Sequence, residues 1–194
     1  MEPEISRFIL DKDRAVLLVV DVQEKLIPTL PEKAYRRTLK GLRFLLKGTR
    51  LLDIPVVATE QYPKGLGHTT RELGAIQPDR MIEKVSFSCC GEPAFLEFLE
   101  ERGRSQVILT GMEAHVCVYQ TALGLLERGF QVHVVRDAVI SQNKRNARNA
   151  LELAAQAGAI VTTAETALFQ MVKTSVAPEF KGLSQLVKEF RENP

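Results

Sequence analysis

With 194 residues, 45% of them apolar, the chain can build a substantial core, and one domain over residues 1–194 is the expectation. A net charge of +2, with acids and bases interspersed, creates no field that would select nucleic acid or an anionic membrane; a small-molecule substrate stays open. Three cysteines are too few, and odd in number, for a disulfide scaffold, and no apolar stretch approaches the roughly 20 residues of a membrane helix, so the chain reads as soluble and cytoplasmic. The opening residues, 1–6, lack the basic segment and apolar run of a secretion signal.

The first predicted strand, 15–21, is apolar on both faces through Val16, Leu17, Leu18, Val19 and Val20, as in a parallel strand covered by helices on each side. It ends in Asp21, whose charge at a sheet's carboxyl edge is costly to bury unless paired; a cap or loop anchor is the alternative. Tyr35, Leu39, Leu42 and Leu46 then repeat at helical spacing. Arg36, Lys40, Arg43, Lys47 and Arg50 trace another face of that helix and read as solvated.

A second strand, 55–60, leads into irregular chain over 61–77, with Pro63, Gly65, Gly67 and Gly74. Loops at the carboxyl ends of strands form the ligand crevice of open α/β sheets, so this segment covers a site or is a plain surface loop. The third strand, 80–84, closes with Lys84, either a surface lysine or a cation for the crevice. Cys89 and Cys90 follow, adjacent and with no second pair to complete a zinc set; packing near the crossover is expected, with redox sensitivity second.

After a helix over 93–102 comes a strand over 105–111, and Gly111 to Cys117 passes from it into a helix over 115–128. Cys117 therefore sits near a helix N-terminus, which suits a thiolate; a small buried hydrophobe is the plain alternative. His115 could serve as a competing base, but two residues turn a helical side chain by about 200°, so it should face away from Cys117 and line a pocket or cap the helix. A strand over 131–135, a helix over 144–157 capped by Asn143, a strand over 159–163 and a helix over 178–190 complete the chain. Gly103, Gly129 and Gly158 each close a helix. His68 and His133 show no ligand pattern, and no glycine-rich phosphate loop supports a nucleotide cofactor.

This alternation predicts a three-layer doubly wound α/β fold with a six-stranded, mainly parallel sheet of order 3-2-1-4-5-6. In that order Asp21 and Cys117 face one crevice, and Lys84, two strands from Asp21, must reach across about 10 Å at a spacing of about 4.8 Å. A carboxylate, an ammonium and a thiol meeting there would shift one another's pKa values, as covalent catalysis requires. Gln23, Gln61, Tyr62, Phe87, His115 and Tyr119 are the residues expected to bind substrate.

Residues 19–23, the Lys84 segment, 111–117 and the stretch from Thr121-Ala122 to Asp137-Ala138 together resemble the isochorismatase-like cysteine hydrolases, and 59–67 resembles the isochorismatase domain-containing proteins more narrowly. The resemblance runs along nearly the whole chain. It implies Cys117 as nucleophile, Asp21 as proton acceptor and later donor, and Lys84 as the cation beside them. It also implies a cis bond between Met112 and Glu113 that aims the Glu113 and Cys117 amides at one oxyanion, and assembly into dimers or larger rings.

Zinc-binding nicotinamidases carry Asp-x-His after the second strand, where this chain has Glu60-Gln61-Tyr62, so no metal or other cofactor is expected. Enzymes acting on isochorismate generally lack the cysteine, which points Cys117 toward small amide-like substrates. The reading of a different class is an inactive oligomeric scaffold or thiol sensor in which Cys117 or Cys89 responds to oxidation. Selective alkylation with peptide mapping separates the two.

Overall fold

In the computed structural model, which describes residues 4–74 and 78–192, the apolar runs form one sheet. Its strands are β1 (Ala15–Val20), β2 (Val56–Gln61), β3 (Arg80–Lys84), β4 (Gln106–Met112), β5 (Gln131–Ile140) and β6 (Ile160–Thr162). They lie in the order β3-β2-β1-β4-β5-β6 with every pair parallel, so the chain reverses its direction of winding between β1 and β4 and opens a crevice at their carboxyl ends.

Alternation divides the core in two. Leu17, Val19, Ala58, Ile108 and Val135 pack under α1 (Glu32–Leu51), α6 (Ala164–Val172) and α7 (Phe180–Glu192). Val16, Leu18, Val20, Val57, Ile82, Leu109 and Val134 pack on the other face, under α3 (Pro93–Arg102), α4 (Tyr119–Glu127) and α5 (Lys144–Gln156). Each large side chain buried this way contributes about 1.5–3 kcal/mol. Among the described residues no helix is long and apolar enough to cross a membrane.

Several boundaries differ from the sequence reading. β5 runs to Ile140, because the β4–β5 register shifts between Leu109 and Gly111 and pairing resumes at Gly111↔Val139; exposed Arg136 and Asp137 in that interval imitate the end of a strand. Helix α6 was hidden because Thr163 alone separates it from β6; the Thr163 hydroxyl accepting from the Thr166 amide is its cap. The helix expected over 115–128 is a π-helical turn, Ala114–Val118, followed by α4. In the irregular stretch a one-turn helix, α2 (Pro63–Leu66), forms, and residues 75–77 of that stretch lie outside the described residues, as do 1–3 at the start of the chain. Asn143 does cap α5, accepting from Arg145 N at 2.8 Å.

His133 alternates away from Val132 and Val134 onto the α1 face, fully buried between Ile108 and Ile160, its register partners. Neither ring nitrogen has a well-formed hydrogen bond among the described residues, and burial pulls the imidazole pKa down to about 4, weakly opposed by the Arg7 backbone. The folded state therefore holds His133 neutral where the unfolded chain would protonate it. Its share of stability is present above the unfolded pKa of about 6.5 and is lost as pH falls through the folded value, a span worth about 3 kcal/mol. His133→Leu should flatten that decline when urea unfolding is followed from about pH 7 to about pH 4. An unchanged slope would mean that other groups carry the acid sensitivity.

Candidate active site

Strict alternation would send the residue after Val20 to the α1 face, away from Val16, Leu18 and Val20. Asp21 instead takes a φ of 50°, a left-handed conformation that Asp tolerates better than most residues, and leaves the strand. Its side chain is fully buried. Oδ1 accepts a hydrogen bond from Thr59 Oγ1 at 2.7 Å, and Oδ2 lies 2.7 Å from Lys84 Nζ. Oδ2 is thus the oxygen held by the ammonium, through charge and through side-chain hydrogen bonding, both of which favour the charged lysine.

Lys84 reaches that position because β2 separates its strand from β1 and Gln61 stands opposite it in register. Its side chain is completely buried, and a buried ammonium survives only with good partners. Nζ donates to Gln61 Oε1 at 2.6 Å and to the carbonyls of Ser86 and Phe87 at 3.1 and 3.2 Å. Burial lowers the lysine pKa, but Asp21 first and the Cys117 thiol after it outweigh burial and hold it above the ordinary value. Lysine and aspartate are thus a charged pair.

Cys117 lies in the π-helical turn that follows β4, nearly buried, and the Met112–Glu113 peptide before the turn is cis. Burial pushes its thiol up to about 12, Asp21 acts in the same direction, and Lys84 opposes them. The resting group is thus held as a thiol, because lost hydration and a neighbouring carboxylate outweigh the cation, and the helix-terminal position that suits a thiolate does not by itself ionise it. His115 takes no part in that balance. Its Nδ1 lies 3.0 Å from Ser141 Oγ and 4.0 Å from the carboxylate of Glu113, which caps the Gln142 amide at 2.7 Å.

The expected substrate-binding residues divide by place. Gln23 is fully buried with its amide occupied: Nε2 donates to the carbonyls of Gln61 and Gly67 at 3.0 and 2.6 Å, and Oε1 accepts from Gln61 N at 2.8 Å. It is a brace. Gln61 is spent likewise, its Oε1 on Lys84 and its Nε2 on the Val85 carbonyl at 2.9 Å. Tyr62 and Phe87 are more than half exposed, and Tyr119 is half-buried against the α4 core. The chain after β2 is fastened rather than loose, because buried Glu60 accepts from Thr69 N and Oγ1 at 2.6 and 2.8 Å and meets His68 Nδ1 at 3.0 Å.

Sequence reasoning missed Thr59 and Thr121 as parts of the site, and gave Cys89 only packing or redox sensitivity. Cys89 does not merely pack at the crossover: its Sγ lies 3.9 Å from Thr59 Oγ1, and its amide donates to Thr121 Oγ1 at 2.9 Å. Burial first and Asp21 next push this second thiol up to about 12. The available signal was a threonine closing the apolar run of β2 in the same alternation as Val57.

A family model described as the isochorismatase domain matches residues 15–166. Isochorismatase domain-containing protein 2A of Mus musculus is 39% identical over 178 residues, 91% of this chain and 84% of that protein. Isochorismatase domain-containing protein 1 of Danio rerio is 38% identical over 90% of this chain, which spans only 61% of that relative's length. Among solved structures, MAR1 ribonuclease from Caenorhabditis elegans superposes with a TM-score of 0.86 at 39% identity, covering 93% of this chain and 92% of that one. The YcaC gene product of Escherichia coli, described as an octameric hydrolase of unknown specificity, gives 0.84 at 26% identity, covering 95% and 93%.

Proposed function

The chain belongs to the isochorismatase family, and from that premise we propose that it is a hydrolase that opens a small amide-like substrate through a thioester on Cys117. The observation that carries this reading is the fully buried Lys84–Asp21 pair, 2.7 Å apart, set against the Cys117 thiol. Two charges are not removed from water without cost, and a thiol beside them gives that cost a chemical use.

Because the resting thiol is protonated, its deprotonation is coupled to attack. As sulfur bonds to the substrate carbonyl carbon, the thiol proton passes to Asp21, whose charge Lys84 sustains. The backbone amides of Glu113 and Cys117 hold the oxyanion. Asp21 then returns the proton to the leaving nitrogen, the C–N bond breaks, and the amine departs. Water, deprotonated by the same carboxylate, attacks the thioester and releases the acid and the free thiol. Tyr62, Phe87, His115 and Tyr119 are proposed to border the substrate, with no metal or cofactor in the sequence of steps.

The test is incubation with a library of small amides followed by intact-mass measurement. The parent should show acylated Cys117, Cys117→Ala no adduct, and Asp21→Asn turnover reduced by about 10²–10⁴-fold. Turnover undiminished in folded Cys117→Ala would end the covalent reading. Since the C. elegans neighbour is called a ribonuclease, RNA belongs in the same assay; cleavage of RNA indifferent to both substitutions would place activity elsewhere. The octameric YcaC neighbour supports self-assembly of this chain, which light scattering tests by mass.

A further inference from the structure

We propose that Thr59 is a positioning residue that divides the two oxygens of Asp21: its hydroxyl holds Oδ1, and Oδ2 is left to exchange a proton with Cys117. The inference rests on the preceding reading of Asp21 and Cys117 as base and nucleophile and adds to it the device that orients the base.

Thr59 is buried at the carboxyl end of β2, opposite Val20 in register. It grips Asp21 twice, since its carbonyl accepts from Asp21 N at 3.1 Å and its hydroxyl meets Oδ1 at 2.7 Å. A threonine hydroxyl has a single proton to give. The Cys89 sulfur lies 3.9 Å from that hydroxyl oxygen and is directed at it, and the thiol stays protonated throughout the neutral range. The S–H therefore supplies the hydroxyl oxygen, and the hydroxyl proton goes to Asp21. Cys89 is in turn seated through its amide on the hydroxyl of Thr121, four residues along from Cys117, while the polar chain itself runs from the second thiol through Thr59 to the carboxylate.

A short bond from a hydroxyl to a carboxylate is of the stronger, charge-assisted kind. It helps fix the plane of the carboxylate and occupies one of the two acceptor sites of Oδ1, while Oδ2, paired with Lys84, keeps a further acceptor site for the thiol proton. The two oxygens therefore have different partners, a neutral hydroxyl on Oδ1 and the ammonium on Oδ2. Loss of the hydroxyl would let both oxygens compete for the proton and make protonation from solvent easier.

The experiment is the rate of Cys117 alkylation by iodoacetamide against pH, read by peptide mass, in the parent, Thr59→Val, Thr59→Ala and Thr59→Ser. The parent profile should have an acid limb that Asp21→Asn abolishes. In Thr59→Val and Thr59→Ala the limb should move up by about one pH unit, so that labelling on the limb falls about tenfold, and Thr59→Ser should restore it. The smaller alanine keeps the test valid if valine disturbs the fold, with circular dichroism as the check. A lower plateau with the limb unmoved would overturn the proposal, since that is what a purely structural threonine would give. A parent profile identical to that of Asp21→Asn would instead remove the base reading itself, and the Thr59 assignment with it.

Discussion

Lys84→Met should lose about 3–5 kcal/mol of stability, because it leaves the buried Asp21 carboxylate without its counter-ion. Both side chains of the pair have no exposed surface, so bulk solvent is poorly placed to replace the lost ammonium. Removing both charges should be less damaging than removing one: Asp21→Asn/Lys84→Met should recover the electrostatic part of the loss. About 1–3 kcal/mol should remain, because Gln61 Oε1 and the carbonyls of Ser86 and Phe87 also lose their donor. Urea unfolding of the parent, the two single variants and the double variant measures the coupling directly. A single Lys84→Met variant as stable as the parent would show that the ammonium is not needed to hold the carboxylate, and the proposed mechanism would lose its charged pair.

Gly111→Ala should cost about 3–5 kcal/mol, the sum of a backbone conformation closed to L side chains and a collision. Gly111 has a φ of 111°, and a Cβ there would overlap the Val20 carbonyl oxygen and stand 2.6 Å from the Val20 nitrogen. Those atoms are the backbone of β1 one residue before Asp21, so relief requires the two central strands to separate where the proposed base and the oxyanion amides are placed. Gly103→Ala supplies the comparison, having a φ of 58° and open space around the added carbon; it should cost only about 1–2 kcal/mol. Equal thermal shifts in the two variants would mean that the backbone conformation matters and the close approach does not.

Much of the architecture was legible because its signals are local. The apolar run of β1, the punctuation at Gly103, Gly129 and Gly158, and the alternation of strands with helices were enough for the α/β class, and the doubly wound order taken for that class is the one observed. The order alone put Asp21 and Cys117 on one crevice, because β1 and β4 are neighbours at the point where the winding reverses. The length of β5 was not legible, since a register shift is a property of two strands, and Arg136 and Asp137 look like a loop when only one strand is read. Gln23 shows the same limit. Its residue type suits a substrate contact, yet its amide is consumed by the backbone of Gln61 and Gly67, residues far along the chain.

By itself the sequence determined the six strands, most of the helices between them, and which chemical groups arrive at the carboxyl edge, because hydrophobic period and turn chemistry are written in neighbouring residues. Only the tertiary structure decided that Asp21 turns out of its strand's alternation to meet Lys84, that Gln61, its backbone braced by Gln23, holds the lysine in place, and that Thr59 and Cys89 stand behind the carboxylate. Those outcomes depend on one backbone dihedral and on the register of strands against one another. Both are fixed by contacts between residues distant in the chain, and no local pattern records them.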